Sequence, residues 1–272
     1  MPIISNEFII DKEKNKNFLD ILTKKLFYFY NETNNYEPFK KINNSRYWDL
    51  IFEDIRVSIG SGKIRLLEVG SGRSGFASKL VEHNLRENVH YTAQDITYKN
   101  YDFLIENADE VFIGDVSKLS KKYDIIFSTF VLEHIVDPDR FLDILFNLLF
   151  ENGREYIICP RYDFPFYLSP SIKHKSMFRR IFISFWLQYR KILNKICDDY
   201  SFIIHSDPAV FYKSFFRDSD AIHWVLQESI VNYHKKKFGT ESIDIAKTLS
   251  ANSIIDKFYK RNMLLYLKIN KS

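Results

Sequence analysis

Several short groups of residues could do chemistry. Gly70-Ser71-Gly72-Arg73-Ser74-Gly75 is a glycine turn, and Glu68 stands two residues before its first glycine. Glycines let the backbone approach a bound molecule closely, and a helix that starts at such a turn offers unpaired N–H groups. Asp95, followed by Ile96, lies about 20 residues past the turn, where an acid can bond ribose hydroxyls. Asp115 and Val116 follow a third apolar stretch. Ser128-Thr129-Phe130 runs on into Val131-Leu132-Glu133-His134-Ile135-Val136-Asp137-Pro138. The pattern points to a nucleotide-like ligand. G-x-G-x-x-G also suits a dinucleotide, but the Glu68 carboxylate would repel a pyrophosphate and welcome an ammonium group.

The elements that must position these residues are legible around them. Ile64, Leu66, Leu67 and Val69 read as a buried strand, and Phe76, Ala77, Leu80, Val81 and Leu85 fall on one helical face. Further strands are expected at residues 88–96, 110–113, 123–130 and 155–159. The fourth is nearly all apolar, as a strand covered on both faces should be. Asp137 is a good N-cap, Pro138 suits the first helical position, and Phe141, Leu142, Leu145, Leu148 and Leu149 then face the sheet, with Asn152-Gly153 ending that helix. Strands joined by helical crossovers give an α/β fold with an open, mostly parallel sheet and helices on both faces. Ligands in such sheets bind at the carboxyl ends of the strands, where Glu68, Asp95, Asp115 and Ser128–Phe130 all fall.

Over residues 64–160 the chain resembles the class I S-adenosylmethionine-dependent methyltransferases. The likeness rests on E-x-G-x-G at Glu68–Gly72, the acid at the end of the second strand, and V-L-E-H…D-P at Val131–Pro138. It implies S-adenosylmethionine as cofactor and S-adenosylhomocysteine as product. The residues holding the cofactor would be Glu68, Gly70, Ser71, Gly72, Gly75, Asp95, Ile96, Asp115, Val116, Ser128, Thr129 and Phe130. Glu68 would meet the ammonium side, Asp95 the ribose and Asp115 the adenine amino group. The resemblance also implies a closing antiparallel hairpin, read here at residues 202–205 and 221–226. Two alternatives remain: an NAD(P)-dependent oxidoreductase, and a non-catalytic binding protein of the same fold.

Outside that core the sequence carries no further motif. Residues 1–60 read as an N-terminal helical extension, with Phe18, Leu19, Ile21, Leu22 and Leu26 on one helix, a break at residues 31–35, and Tyr47, Leu50, Ile51 and Ile55 on a second helix behind a cap at Ser45. The cofactor domain would span residues 61–227, with a helical insertion at about 166–200, and residues 228–272 would form a C-terminal helical extension. In the insertion, Phe178, Ile181, Phe182, Phe185, Tyr189, Ile192 and Ile196 share a face, with Arg179, Arg180, Arg190, Lys191 and Lys195 mostly elsewhere. That helix is read first as packing on the domain; it could also cover the acceptor site, pair with a second subunit or rest on a membrane surface.

Candidate catalytic residues are His134, just after the fourth strand, and Tyr162 and Asp163 on the aromatic, proline-broken loop after the fifth. His205 and His223 read as packing residues. A base is needed only if the acceptor loses a proton of high pKa, as a sugar hydroxyl does. The expected acceptor is a small molecule, a sugar or a phosphorylated precursor, methylated at oxygen. The formal charge of +4 on 272 residues comes without a compact Lys/Arg stripe, so nucleic acid is not expected as a partner. The two cysteines make no disulfide framework and no metal spacing. No apolar run reaches about 18 residues and no signal peptide is evident, so no membrane span and a cytoplasmic setting are expected. An oligomer is compatible with this reading.

Overall fold

The structure is a computed structural model that describes residues 7–32, 47–60, 62–212 and 218–271. Of the break expected at 31–35, Asn31 and Glu32 instead end the first long helix, and 33–35 lie outside the described residues, as does the cap expected at Ser45. In chain order the elements are β1 (Phe8–Ile9), α1 (Lys16–Glu32), α2 (Asp49–Ser58), β2 (Ile64–Val69), α3 (Phe76–Glu82), β3 (Val89–Asp95), α4 (Tyr101–Asn107), β4 (Glu110–Ile113), β5 (Tyr123–Thr129), α5 (Pro138–Leu148), β6 (Leu149–Pro160), α6 (Met177–Ile196), β7 (Ile204–His205), α7 (Gln227–Phe238), β8 (Ser242–Asp244), α8 (Ile254–Asn262) and β9 (Leu264–Asn270).

Seven strands form one sheet in the order β4-β3-β2-β5-β6-β9-β8. The first five are parallel, and β9 runs antiparallel to both β6 and β8. The chain lays β2, β3 and β4 outward to one side, then returns to put β5 on the other side of β2. The connections therefore diverge between β2 and β5, and a crevice opens there at the carboxyl edge.

Alternation along the central strands sends side chains to two covered faces. Ile64, Leu66, Tyr91, Phe127 and Tyr266 pack with Trp48, Ile51, Phe52 and Ile55 from α2 and its approach, Phe76 and Leu80 of α3, and Leu104 of α4. Leu67, Val69, Ile126, Ile157 and Leu267 pack on the other face with Phe141, Leu142 and Leu145 of α5 and Ile230 and Tyr233 of α7. Asp137 caps α5 by accepting from the Arg140 N–H, with Pro138 at the first helical position.

The expected sheet is present, yet several local readings are corrected. The antiparallel addition comes from β9 and β8, not from residues 202–205 and 221–226. Leu264, Leu265, Tyr266, Leu267 and Ile269 are buried, and β9 pairs with β6 over seven positions, from Arg154↔Asn270 to Pro160↔Leu264. A run buried on both faces shows no period of two, so no alternation marks a strand there. Residues 228–272 are thus not a purely helical extension: α7 and α8 are helices, but 242–244 and 264–270 belong to the sheet. The shorter runs pair elsewhere, β7 with β1 and Ile204 with His223. Asn152-Gly153 does not cap α5. The helix stops at Leu148, and Asn152, in a left-handed backbone at φ 64°, sits within β6. Val81 is exposed, and Leu85 reaches the core from beyond α3. The N-terminal extension contains strand β1 as well as helices.

Two smaller clusters lie beyond the carboxyl edge. Leu19, Leu22 and Leu26 of α1 pack with Ile9, Val136, Ile204, Val210 and Ile222, while Phe18 and Ile21 stay exposed. Ile183, Trp186 and Leu187 of α6 pack with Phe8, Tyr162, Ile172, Ile203, Trp224 and Leu226. The face of α6 expected to pack is the exposed one. Phe178, Phe182, Phe185, Tyr189, Ile192 and Ile196 face solvent, because the helix seats its narrower Ile183-Trp186-Leu187 side on the loops.

Candidate functional site

The glycine turn after β2 is held open from β3. Gly70 N–H donates to the Gln94 side-chain oxygen at 3.0 Å, Ser71 N–H to the Gln94 carbonyl at 2.8 Å, and Gly72 N–H to Asp95 Oδ2 at 2.9 Å. Asp95 Oδ1 accepts from Thr97 N–H at 3.0 Å, and Gln94 Nε2 donates onward to the Gly114 carbonyl at 2.6 Å. Gly70 and Gly72 have φ of 67° and 53°, a region costly for any residue with a Cβ. They differ in surroundings. A Cβ on Gly70 would lie 2.5 Å from Val131, in the loop after β5, whereas a Cβ on Gly72 would meet nothing within 4 Å. The turn is therefore closed toward β5 at Gly70 and open at Gly72. Gly75 leads into α3.

Glu68 is buried beneath this turn. The Tyr91 hydroxyl donates to its carboxylate, and the Ser71 hydroxyl donates to its backbone carbonyl at 3.1 Å. Burial, only partly offset by hydrogen bonds from Tyr91 and Ser74, pushes the Glu68 pKa up to about 8. Burial also raises Asp95, against the backbone N–H groups of Thr97 and Gly72. An arriving cation would reverse the penalty at Glu68. Ile96 is half-buried beyond Asp95.

Along the same edge, Asp115 is exposed and accepts from Ser117 N–H at 2.8 Å, while Val116 is buried. Ser128 is buried with no hydrogen-bond partner for its hydroxyl among the described residues. Thr129 accepts from Trp48 Nε1 at 3.3 Å. Phe130 has φ 58°, unusual for an aromatic residue, and is pinned by its N–H donating to Ile158 O at 2.7 Å and by a T-shaped contact with Tyr47. Strain of this kind at a strand end marks functional sites more often than plain turns.

The segment after Phe130 carries a buried ionisable cluster. Neither Glu133 carboxylate oxygen has a hydrogen-bond partner among the described residues, and burial pushes its pKa up to about 8. His134 Nε2 lies 3.9 Å from Glu133, and its Nδ1 lies 3.2 Å from Asp220, which also accepts from the Tyr30 hydroxyl at 2.7 Å. Burial disfavours the imidazolium, but Asp220, then Glu133 and Asp218, outweigh it and push the His134 pKa up to about 10. Burial would raise Asp220, but the imidazolium holds it below the usual carboxylate range. His223 fixes the segment: its N–H donates to Glu133 O and its ring Nδ1 pairs with Leu132 O, both at 2.9 Å. A carbonyl only accepts, so that ring nitrogen carries the hydrogen.

The loop after β6 lies near by, but its chemistry is turned inward. Tyr162 is buried and stacks on Tyr167, with ring centroids 5.7 Å apart. Asp163 is buried in an ion pair with Arg161 at 2.8 Å, with Lys191 at 3.8 Å. Neither overhangs the edge as an open loop residue would. Burial depresses His205 to about 3 and His223 to about 4, so both are neutral packing residues. The structure thus brings Glu68, the glycine turn, Asp95 and residues 128–130 to one edge with His134, and holds Tyr162 and Asp163 behind it.

Sequence reasoning missed Glu133, Asp220 and Tyr30. Glu133 was visible as a carboxylate in an otherwise apolar stretch beside His134. Asp220 and Tyr30 gave no local signal, because only the packing of α1 and the 218–224 segment brings them to His134.

Comparison with known proteins agrees with this fold. Residues 30–207 match the family model of a methyltransferase domain. No curated protein matches the chain in sequence. Among solved structures, a plantazolicin methyltransferase, BpumL, crystallised with a pentazolic desmethylPZN analog and S-adenosylhomocysteine, superimposes with a TM-score of 0.54 at 14% identity, covering 96% of this chain and 99% of that one. The CurJ carbon methyltransferase gives 0.51 at 14%, covering 92% of this chain, which spans only 58% of that one. The 1,6-didemethyltoxoflavin-N1-methyltransferase of Burkholderia thailandensis, with its substrate and S-adenosylhomocysteine bound, gives 0.50 at 9%, covering 97% and 92%. At such identities the likeness is one of fold.

Proposed function

The chain belongs to the methyltransferase-domain family, and on that premise we propose that it is an S-adenosylmethionine-dependent methyltransferase acting at an oxygen of a small-molecule or sugar-linked acceptor. The observation that carries this reading is the glycine turn at the switch point between β2 and β5. It is clamped by Gln94 and Asp95, and its Gly72 faces space that a Cβ would fill. The residues fit an S-adenosylmethionine molecule. Glu68 is a buried carboxyl that an ammonium would neutralise, and Ser128 has a buried hydroxyl without a partner among the described residues. Gly70–Gly75, Asp95 and Ile96, Asp115 and Val116, and Ser128–Phe130 would hold the cofactor.

The sulfonium supplies an activated methyl group, so the protein's work is positioning the acceptor and handling its proton. A hydroxyl acceptor exchanges its O–H bond for an O–CH3 bond. The proton passes to the coupled Glu133–His134–Asp220 group in molecules where Glu133 or His134 has lost its own: Glu133 titrates near pH 8 and His134 near 10, while Asp220 is held below the usual carboxylate range. Asp220 orients His134, and Tyr30 and His223 hold the two ends of the group in place. Arg161 and Lys191 keep Asp163 occupied, so Tyr162 and Asp163 shape the acceptor side by buttressing the loop rather than by exchanging protons.

The test is a thermal-shift panel of S-adenosylmethionine, S-adenosylhomocysteine and NAD, followed by an acceptor screen read by S-adenosylhomocysteine release. Stabilisation by the first two and turnover with a hydroxylated acceptor are expected. Stabilisation by NAD alone would return the protein to the oxidoreductase alternative, and binding without turnover on any acceptor would favour a binding protein.

A further inference from the structure

Helix α6 presents a long apolar stripe to solvent. At 100° per residue, Phe178, Phe182, Phe185, Tyr189, Ile192 and Ile196 fall within a narrow arc. They are exposed, with Phe178 at 86% and Ile196 at 76%. Phe166, from the loop after β6, is 62% exposed and extends the stripe through a T-shaped contact with Phe185. Water-soluble surfaces rarely leave so many large apolar side chains contiguous and uncovered.

The charges beside the stripe decide what covers it. The helix contains Arg179, Arg180, Arg190, Lys191 and Lys195 and not one acidic residue. Arg179 and Lys195 fall about 100° to either side of the stripe's centre, Arg190 and Lys191 lie further round, and Arg180 faces nearly the opposite way. Arg180 and Lys195 are exposed; Arg179 pairs with Glu7 and Lys191 reaches Asp163. Two copies meeting stripe to stripe would set basic flank against basic flank. An anionic lipid surface would instead take the apolar residues below its headgroups and the cations among them. Ile183, Trp186 and Leu187 fasten the third side of the helix to the protein. Among the described residues no helix is long and apolar enough to cross a membrane, so this contact is interfacial.

We propose that the outer face of α6, with Phe166, docks on an anionic lipid bilayer. The proposal is independent of the methyl-transfer reading. Phe166 N–H donates to Ser184 Oγ at 2.8 Å, and Lys191 Nζ donates to the Asp163 carbonyl at 3.1 Å. Docking would therefore hold the 160–167 loop at the bilayer surface.

The experiment is co-sedimentation of the full chain with phosphatidylcholine vesicles, with and without phosphatidylglycerol at about one lipid in three. Binding to the anionic vesicles only, weakened by raised salt, is expected. Phe182→Asp with Phe185→Asp should lower the partition coefficient by roughly tenfold or more, and Lys195→Glu should lower it too. These side chains are exposed, so circular dichroism should stay native. Val81→Asp, an equally exposed site elsewhere, should bind like the unsubstituted protein. Absence of binding to anionic vesicles would overturn the proposal. So would light scattering showing a dimer that Phe185→Asp dissociates, which would give the face to a second copy.

Discussion

Asp220→Asn is the perturbation that reads the buried cluster most directly. Asp220 and His134 are 3.2 Å apart and both largely shielded from water. At that distance, through an effective dielectric of about 20, the attraction is worth about 5 kcal/mol. This corresponds to roughly three to four powers of ten in proton affinity. It is what lifts His134 to about 10 against the opposing effect of burial. At pH 7 only about one His134 ring in a thousand is then neutral. Asn keeps the shape and can still accept from Tyr30, but it removes the charge. Burial then opposes the imidazolium with less resistance, and His134 should titrate near or below neutrality. The assay is an imidazole nitrogen NMR titration over the chain's seven histidines, with His134→Gln providing the assignment. One ring should stay protonated to about pH 9 in the unsubstituted protein and titrate at least two pH units lower in Asp220→Asn. On an active acceptor, the limb of kcat/KM that rises with pH should move the same way. A His134 that titrates near 6.5 in the unsubstituted protein, or at the same pH in both, would refute the reasoning.

Other expectations follow from the same geometry. Glu68→Ala and Asp95→Ala should each weaken S-adenosylmethionine binding by roughly 1.5–3 kcal/mol in calorimetry; Asp95→Ala should also lower the melting temperature, because it frees the Gly72 and Thr97 N–H groups. The two glycines should separate: Gly70→Ala should destabilise the fold, since its Cβ would strike Val131, while Gly72→Val should fold, less stably, and fail to bind the cofactor. Near-native affinity in Gly72→Val would make that turn purely structural. Stability of the ligand-free protein should fall above pH 6.5. Glu68 and Glu133 have folded pKa values near 8, above their ordinary 4.5, and His134 near 10, above 6.5, so each loses stability as pH rises. His205 and His223 are depressed below 6.5, and they offset the two glutamates between about pH 4.5 and 6.5. From about 6.5 to 8 three protons are in play, an upper bound of about 4 kcal/mol per pH unit in urea titrations. A flat profile from 6.5 to 8.5 would sink the assignment of these groups as buried and unpaired by ligand.

The central architecture and the strand-end glycine turn are legible in local sequence. A hydrophobic run ending in Glu68 and a glycine turn, repeated strand-helix alternation, and Asp137-Pro138 at a helix start are local patterns. Each is fixed by backbone conformation and burial over a few residues, and none depends on distant chain. The remainder depends on contacts between distant parts of the chain. Leu264–Asn270 becomes a strand only because β6 offers it a free edge over Arg154–Pro160, and a strand buried on both faces shows no alternation to read. The outer stripe of α6 looked like its packing face, because periodicity reports that a helix has an apolar side and not whether anything lies against it. Glu133, His134, Asp220 and Tyr30 form one ionisable group because α1 and the 218–224 segment fold over the end of β5. Sequence can supply those titrating groups, but only their shared burial couples them, since charge interactions reach full strength where water is excluded.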